Sequence, residues 1–292
     1  MQSALINLLQ LVFNGLMAGS LLALPAIGLT TIFAIRRYLN FSVAGHMSIG
    51  AYAGYIANVV LGWPVAAALP AAFLGAGLFG LITDALALRP VIGYGVMFVS
   101  IASIALNLVL ENFVRFFFGS SLRGYNVPVA RDILLGPFRF DPQAVESLAV
   151  AGVIMVALFV FLTVLPLGKA MRAVGDNPVL ADIKGIDPER MGRYATFVGM
   201  GLTGTGGMLL GVQTSVDPEL GFHILLSVFA ATVVGGLGSI PGAVLGALFI
   251  GVFEELSLVI VAPSYRSVMG FVAILVMLLV RPQGIFGRTR PT

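Results

Sequence analysis

The sequence predicts an all-α, polytopic bundle of transmembrane helices with eight or nine hydrophobic segments, and three observations carry that reading. Of its 292 residues 59% are hydrophobic and only 10% charged, whereas a soluble domain is roughly 25% charged. Residues 1–35 carry no charge at all, and about 20 apolar residues already cross ~30 Å of hydrocarbon. Further stretches free of Asp, Glu, Lys and Arg run through 38–83, 90–110, 147–168, 194–216, 220–253 and 267–280. The 36 glycines and 15 prolines sit inside these apolar runs, as they do in packed membrane helices. With no cysteine there is neither a disulfide framework nor a thiol nucleophile to consider. A net charge of +3 is too small to imply binding to nucleic acid.

The elements follow in order. The first span begins almost at once, and the first basic residue is Arg36, so this helix lacks the basic start of a cleaved signal and is expected to be retained. The run 38–83 must fold back on itself, with Gly62-Trp63-Pro64 as the turn and Trp63 as an interfacial anchor. The run 220–253 is interrupted at Gly235–Gly242, giving two shortish helices. Counted separately these make nine crossings, or eight if one is re-entrant. Eleven of the 16 basic residues, among them Arg36, Arg37, Arg89, the cations of 169–193, Arg281, Arg288 and Arg290, fall on one side. Arg115, Arg123, Arg131, Arg139 and Arg266 fall on the other. The positive-inside rule makes the first side cytoplasmic, places the C-terminus there and leaves an extracytoplasmic loop at about 119–146.

The loop 168–193 has the grammar of ordered structure. Asn177 suits an N-cap, Pro178 the first helical position and Gly185 the left-handed residue after a helix end, which brackets a short helix over 178–184. The same grammar recurs with Asp187, Pro188 and Glu189 before the next span. These helices are expected to expose Val179, Leu180, Ile183 and Ile186, either to a soluble partner or to the protein's own membrane domain.

Four segments then resemble one family. Gly168-Lys169-Ala170-Met171-Arg172-Ala173-Val174, Asn177-Pro178, Ala181 and Gly185-Ile186 are similar to the cytoplasmic coupling loop of branched-chain amino-acid type ABC importer permeases, the LivH-type membrane subunit. Gly15-Leu16, Gly28-Leu29, Asn40-Phe41 and Gly50-Ala51-Tyr52 match its first helices. Gly235 to Ala243 with Gly246, Gly251 and Glu254, and the tail Arg281 to Gly287, complete the pattern. The resemblance implies a single permease domain over 1–292, without an ATPase site of its own, forming half of a translocation path. It implies a bacterial inner-membrane location, a homologous second permease, two cytoplasmic ATPase subunits that bind ATP and Mg, and a periplasmic solute-binding protein. The substrates implied are branched-chain amino acids or related amino acids, urea or amides. Arg172, Asn177, Pro178, Leu180, Ala181 and Gly185 would form the ATPase-coupling loop, and Asn40, Phe41, His46, Gly238, Pro241 and Gly242 the path or gate. One departure stands out: Ser42-Val43-Ala44 follow Asn40-Phe41 where the family has a small residue, His and Gly, and the histidine comes later, at His46.

Each singled-out residue also has an ordinary structural account. The four-residue spacing of Gly238, Gly242 and Gly246, and the face Gly199, Thr203, Gly206, Gly207 and Gly211, allow close helix approach. The Pro241 break would free backbone groups, which membranes tolerate where they are buried or line a cavity. A lone histidine such as His46 is more often a helix contact than a ligand. Glu254 and Glu255 are adjacent, about 100° apart on a helix, so at most one is expected to face a given partner. The alternative function is an ion-coupled secondary transporter with Glu254 as its cycling carboxylate. No segment reads G-x-x-x-x-G-K-[ST], H-E-x-x-H or G-x-S-x-G, so neither a P-loop nor a hydrolase constellation is present.

Overall fold

The computed structural model describes residues 2–127, 133–135, 138–281 and 283–287; Arg131, Arg288 and Arg290 lie outside them. The uncharged start forms one helix, α1 (Gln2–Arg36), with Pro25 inside it. The next run does fold back as expected. It gives α2 (Val43–Tyr55), extended by a π-helical turn Ile56–Val60, then α3 (Val65–Thr83). Between them Gly62 takes φ +72, and Asn58 donates its side-chain amide to the Trp63 carbonyl at 2.8 Å. The α3 rod continues through a second π-helical turn, Asp84–Leu88, and a 3-10 segment, Arg89–Tyr94. After α4 (Val96–Phe118) a small antiparallel hairpin pairs β1 (Ile133–Leu135) with β2 (Phe138–Phe140). The second half of the chain is α5 (Pro142–Val164), α6 (Pro166–Asp176), α7 (Pro178–Ile183), α8 (Pro188–Gln213), α9 (Leu220–Gly235), α10 (Ile240–Ser257) and α11 (Arg266–Val280).

Among the described residues six helices are long and apolar enough to cross a membrane: α1, α3 with its continuation, α4, α5, α8 and α10. This corrects the expected eight or nine segments. The run 220–253 is divided so that α9 keeps 16 residues, and α11 has 15; at 1.5 Å per residue these reach only ~24 and ~22 Å, short of the ~30 Å hydrocarbon layer. The fold-back leaves α2 with 13 α-helical residues. The all-α membrane class is unchanged.

Two helices form the axis of the bundle. In α1 and α8 78% of the most apolar window is buried, against 22% in α5, so α5 turns most of its surface outward and the axis helices turn theirs to other helices. Between apolar helices in lipid, association depends on close packing, for which small residues suit. Gly28 of α1 lies on the Gly199 backbone of α8, Gly50 of α2 on Gly204, and Gly19 of α1 on Ala247 of α10. A Cβ at Gly246 would overlap the Ala231 carbonyl of α9. Gly242 and Gly246 of the glycine stripe noted in the sequence lie on the α9 backbone, whereas Gly238 sits in the turn before α10.

Candidate functional site: a capped loop and two helix breaks

The first region is the loop between α5 and α8. Its caps form where the sequence placed them: Asn177 Oδ1 accepts from the Leu180 amide at 3.0 Å, and Asp187 Oδ1 from Glu189 and Arg190 at 2.8 and 3.2 Å. Gly185 takes φ +83, where a side chain would strain the backbone. Helix α7 is therefore a short rod fixed at both ends. One side of it packs inward, with Ala181 buried in a cluster with Met171, Val174, Met191 and Ala195 and with Ile186 half-buried against it. The other side is open, with Val179, Leu180 and Ile183 exposed at 69, 52 and 75%. The expected outward face thus loses Ile186, and Ala181 points into the protein. Arg172 is exposed on α6. That helix was not separated from the loop by sequence reasoning, although Leu167, Met171 and Val174 carry its helical spacing behind Pro166.

Beside this loop lies an ion-pair network that sequence reasoning missed. Arg36 at the end of α1 binds Asp84 below α3 at 3.0 Å and Glu189 in the first turn of α8 at 3.2 Å, and Glu189 binds Arg89 at 3.0 Å. Arg36 and Asp84 are almost fully buried. Arg37, the one described non-glycine residue at positive φ, donates to the Gly175 carbonyl of α6. Burial beside Asp84 pushes the Tyr38 phenol up, so it stays neutral. One end of the bundle therefore carries Arg36, Arg89, α6 and α7 together, as the charge pattern predicts.

The first helix break, 37–42, is closed by polar groups from distant helices. Asn40 is buried and its Oδ1 accepts from the Ser42 amide and hydroxyl at 3.1 and 2.7 Å. Ser103 Oγ accepts from the Phe41 amide at 2.9 Å, and Asn107 Oδ1 from the Gly45 amide at 2.6 Å. Helix α4 thus supplies the acceptors that the start of α2 lacks. His46 is buried with both ring nitrogens engaged, Nδ1 with the Ser42 carbonyl at 2.8 Å and Nε2 with Thr83 Oγ1 at 3.0 Å. It joins α2 to α3. Phe41 stacks on Phe229 of α9 with ring centroids 4.7 Å apart.

The second break, Gly236–Ser239, is a turn beside the C-terminal tail. Gly236 and Gly238 take φ +104 and +87, and Pro241 sits in the first turn of α10, where its missing N–H costs nothing. Ser239 Oγ caps the helix by accepting from Gly242 at 3.2 Å. The Ile285 and Phe286 amides donate to the Val234 and Gly235 carbonyls at 2.8 and 3.0 Å. These tail residues take the last carbonyls of α9, which the sequence left unassigned. Gly242 lies against the Gly235 backbone.

At the opposite end Arg115 pairs with Glu111 at 2.9 Å and with Glu219. Arg123 pairs backbone to backbone with Val216 and lies 5.6 Å from the Tyr55 ring centroid. Glu254 accepts from Ser227 Oγ at 2.6 Å, and Arg266 reaches both Glu254 and Glu255, at 3.5 and 2.9 Å. Both carboxylates therefore face one partner, contrary to expectation, because the forked guanidinium spans the angle between them. Among the described residues no group of three His, Cys, Asp or Glu is placed to hold a metal.

The family described as the permease component of the branched-chain amino acid transport system matches residues 11–280. The chain belongs to this family. As a permease of this kind it is 31% identical to the high-affinity branched-chain amino acid transport system permease LivH of Escherichia coli K12, over 99% of this chain and 98% of the relative. It is 30% identical to the permease BraD of Pseudomonas aeruginosa, over 96% of each. In structure it resembles PsaBC from Streptococcus pneumoniae, solved in complex with Fab, with a TM-score of 0.51, 17% identity and 98% of each chain covered; that likeness concerns the fold. The permease is a multi-pass membrane protein, and the ion-coupled alternative finds no support among these relatives.

Proposed function

We propose that the chain is one of two homologous permease subunits of an ATP-binding-cassette importer of the bacterial inner membrane, and that α7 is its coupling surface for a cytoplasmic ATPase. The observation that carries this reading is the two-sided packing of α7. Ala181 fixes it to α6 and α8, while Val179, Leu180 and Ile183 stand open on a rod that spends two caps to hold its shape. On this reading 168–193 is the coupling loop of a single permease domain, the C-terminus is cytoplasmic, and ATP and Mg are bound by two partner ATPases. A periplasmic binding protein delivers the solute.

The geometry suggests how motion at α7 travels. Glu189 lies in the first turn of α8, two residues after the Asp187 cap, and holds Arg36 and Arg89, so a shift of α7 pulls on α8 and, through these pairs, on α1 and α3. Two states of the bundle need only bind the ATPases differently for ATP to switch the populations. Asn40, Phe41 and Gly238 lie in the two breaks, and His46, Pro241 and Gly242 in the first turns of the helices that follow them, and we assign all six to the gate. The identities with LivH and BraD favour branched-chain amino acids as solute.

Purification of the tagged chain from its native membrane in mild detergent tests the assembly. Two ATPases and a second permease are expected with the native chain, and the ATPases are expected to be lost with Leu180→Asp, which changes an exposed side chain and leaves the fold intact. Recovery of the chain alone, with uptake that follows a proton or sodium gradient, would overturn the reading.

A further inference from the structure

Between the lower end of α3 and the second and third turns of α8 lies a cleft of about 280 Å³, lined by Leu81, Asp84 and Arg89 on one side and Arg193, Tyr194 and Phe197 on the other. Its charges are unevenly committed. Arg36 and Arg89 are engaged with Asp84 and Glu189, whereas Arg193 is exposed and, among the described residues, has no ion-pair partner. Three guanidinium groups against two carboxylates leave one positive charge, which a phosphate diester, with its single negative charge, neutralises.

The height of the cleft narrows the choice of phosphate. Its lining mixes apolar Leu81, Ala85 and Phe197 with charged Asp84, Arg89 and Arg193; Asp84 is almost fully buried against Arg36, and Tyr194 is exposed, an aromatic position characteristic of the level where hydrocarbon meets head groups. Immediately beyond it α3 presents Leu78 and Ile82, exposed at 54 and 51%, a surface for an acyl chain and of no use to a small soluble anion. Arginine suits this role because its planar fork matches phosphate oxygens, and basic pockets between membrane helices characteristically hold anionic lipid head groups.

We propose that this cleft binds an anionic phospholipid from the leaflet at this end of the bundle, with Arg193 as the main ligand of its phosphate and the exposed side of α3 as the seat of its acyl chain. The proposal rests on the membrane placement of this end and not on which partner grips α7, so the two readings fail separately. A lipid seated there bridges α3 and α8 beside the Arg36–Glu189 pair, and so weights the packing of the helices that pair connects.

The test is native mass spectrometry of the full chain in detergent, titrated with phosphatidylglycerol or phosphatidylcholine. The native chain is expected to retain phosphatidylglycerol preferentially, and Arg193→Gln to retain it about fivefold less, the effect of one cation near a head group. Arg193→Lys keeps the charge without the fork and should fall between the two, while Lys169→Gln, which removes an exposed cation on α6 outside the cleft, should change nothing. Equal retention by Arg193→Gln and the native chain would overturn the site. So would an equal loss in Lys169→Gln, which would mean diffuse surface charge, or displacement of the lipid by millimolar inorganic phosphate, which would mean a soluble-anion site. Equal retention of phosphatidylcholine would overturn its preference for anionic lipid.

Discussion

The loop 168–193 and the first helix break solve the same problem, how to end one helix and begin another, by opposite means. In the loop the capped amides of α7 and α8 are met by a side chain two or three residues away: Asn177 serves Leu180, and Asp187 serves Glu189 and Arg190. At the break, apart from the local turn made by Asn40, the acceptors come from another helix, since Phe41 and Gly45 donate to Ser103 and Asn107, each 62 residues away. The loop sits at the water-exposed end, where a missing bond is replaced by water. The break is buried, where each backbone group must find a partner in the protein. A locally closed element can move as a rod, whereas one closed from a distance moves only with the helix that closes it, the difference that the docking and gating roles proposed above call for.

Three substitutions probe this contrast. The largest effect is expected at the buried network: Asp84→Ala leaves Arg36 nearly fully buried and without its closest carboxylate, which costs about 3–5 kcal/mol and should appear as a large loss of thermal stability in detergent. Little change would mean that water reaches Arg36 and that the network does not bind α1 to α3. Next is Asn107→Ala, which strands the Gly45 amide in the bundle at a cost of about 1–3 kcal/mol, read by the same melting measurement. Smallest is Asn177→Ala, the loss of one exposed cap, about 1 kcal/mol and confined to α7; here hydrogen exchange should quicken at Leu180 with the melting temperature nearly unchanged. If Asn177→Ala destabilised the whole bundle as much as Asn107→Ala, the distinction between local and distant closure would collapse.

The same contrast explains what could be read from the sequence. The caps, Gly185, the Gly62–Pro64 turn and the two charge sides were legible because each depends on neighbours in the chain or on composition. The partners of His46, Asn107 and Asp84 were not, since Thr83 lies 37 residues from His46 and Asp84 lies 48 from Arg36. Nor was the inward turn of Ala181, because a six-residue helix has too few positions for its pattern to mark a face. The Pro241 break was visible, but the tail amides that close it come from more than 40 residues downstream. Helix count suffered for a related reason: apolar runs mark membrane material, and only packing decides how each run is divided.

The central claim is that α7 keeps one face for its own protein and offers the other to a partner. The chain contains no cysteine, so single variants Leu180→Cys and Ala181→Cys can be labelled with a maleimide without background. In the purified chain the account predicts rapid labelling at Leu180→Cys and slow labelling at Ala181→Cys, and in the assembled complex slow labelling at both. Labelling of Leu180→Cys at the same rate with and without the ATPases would contradict it.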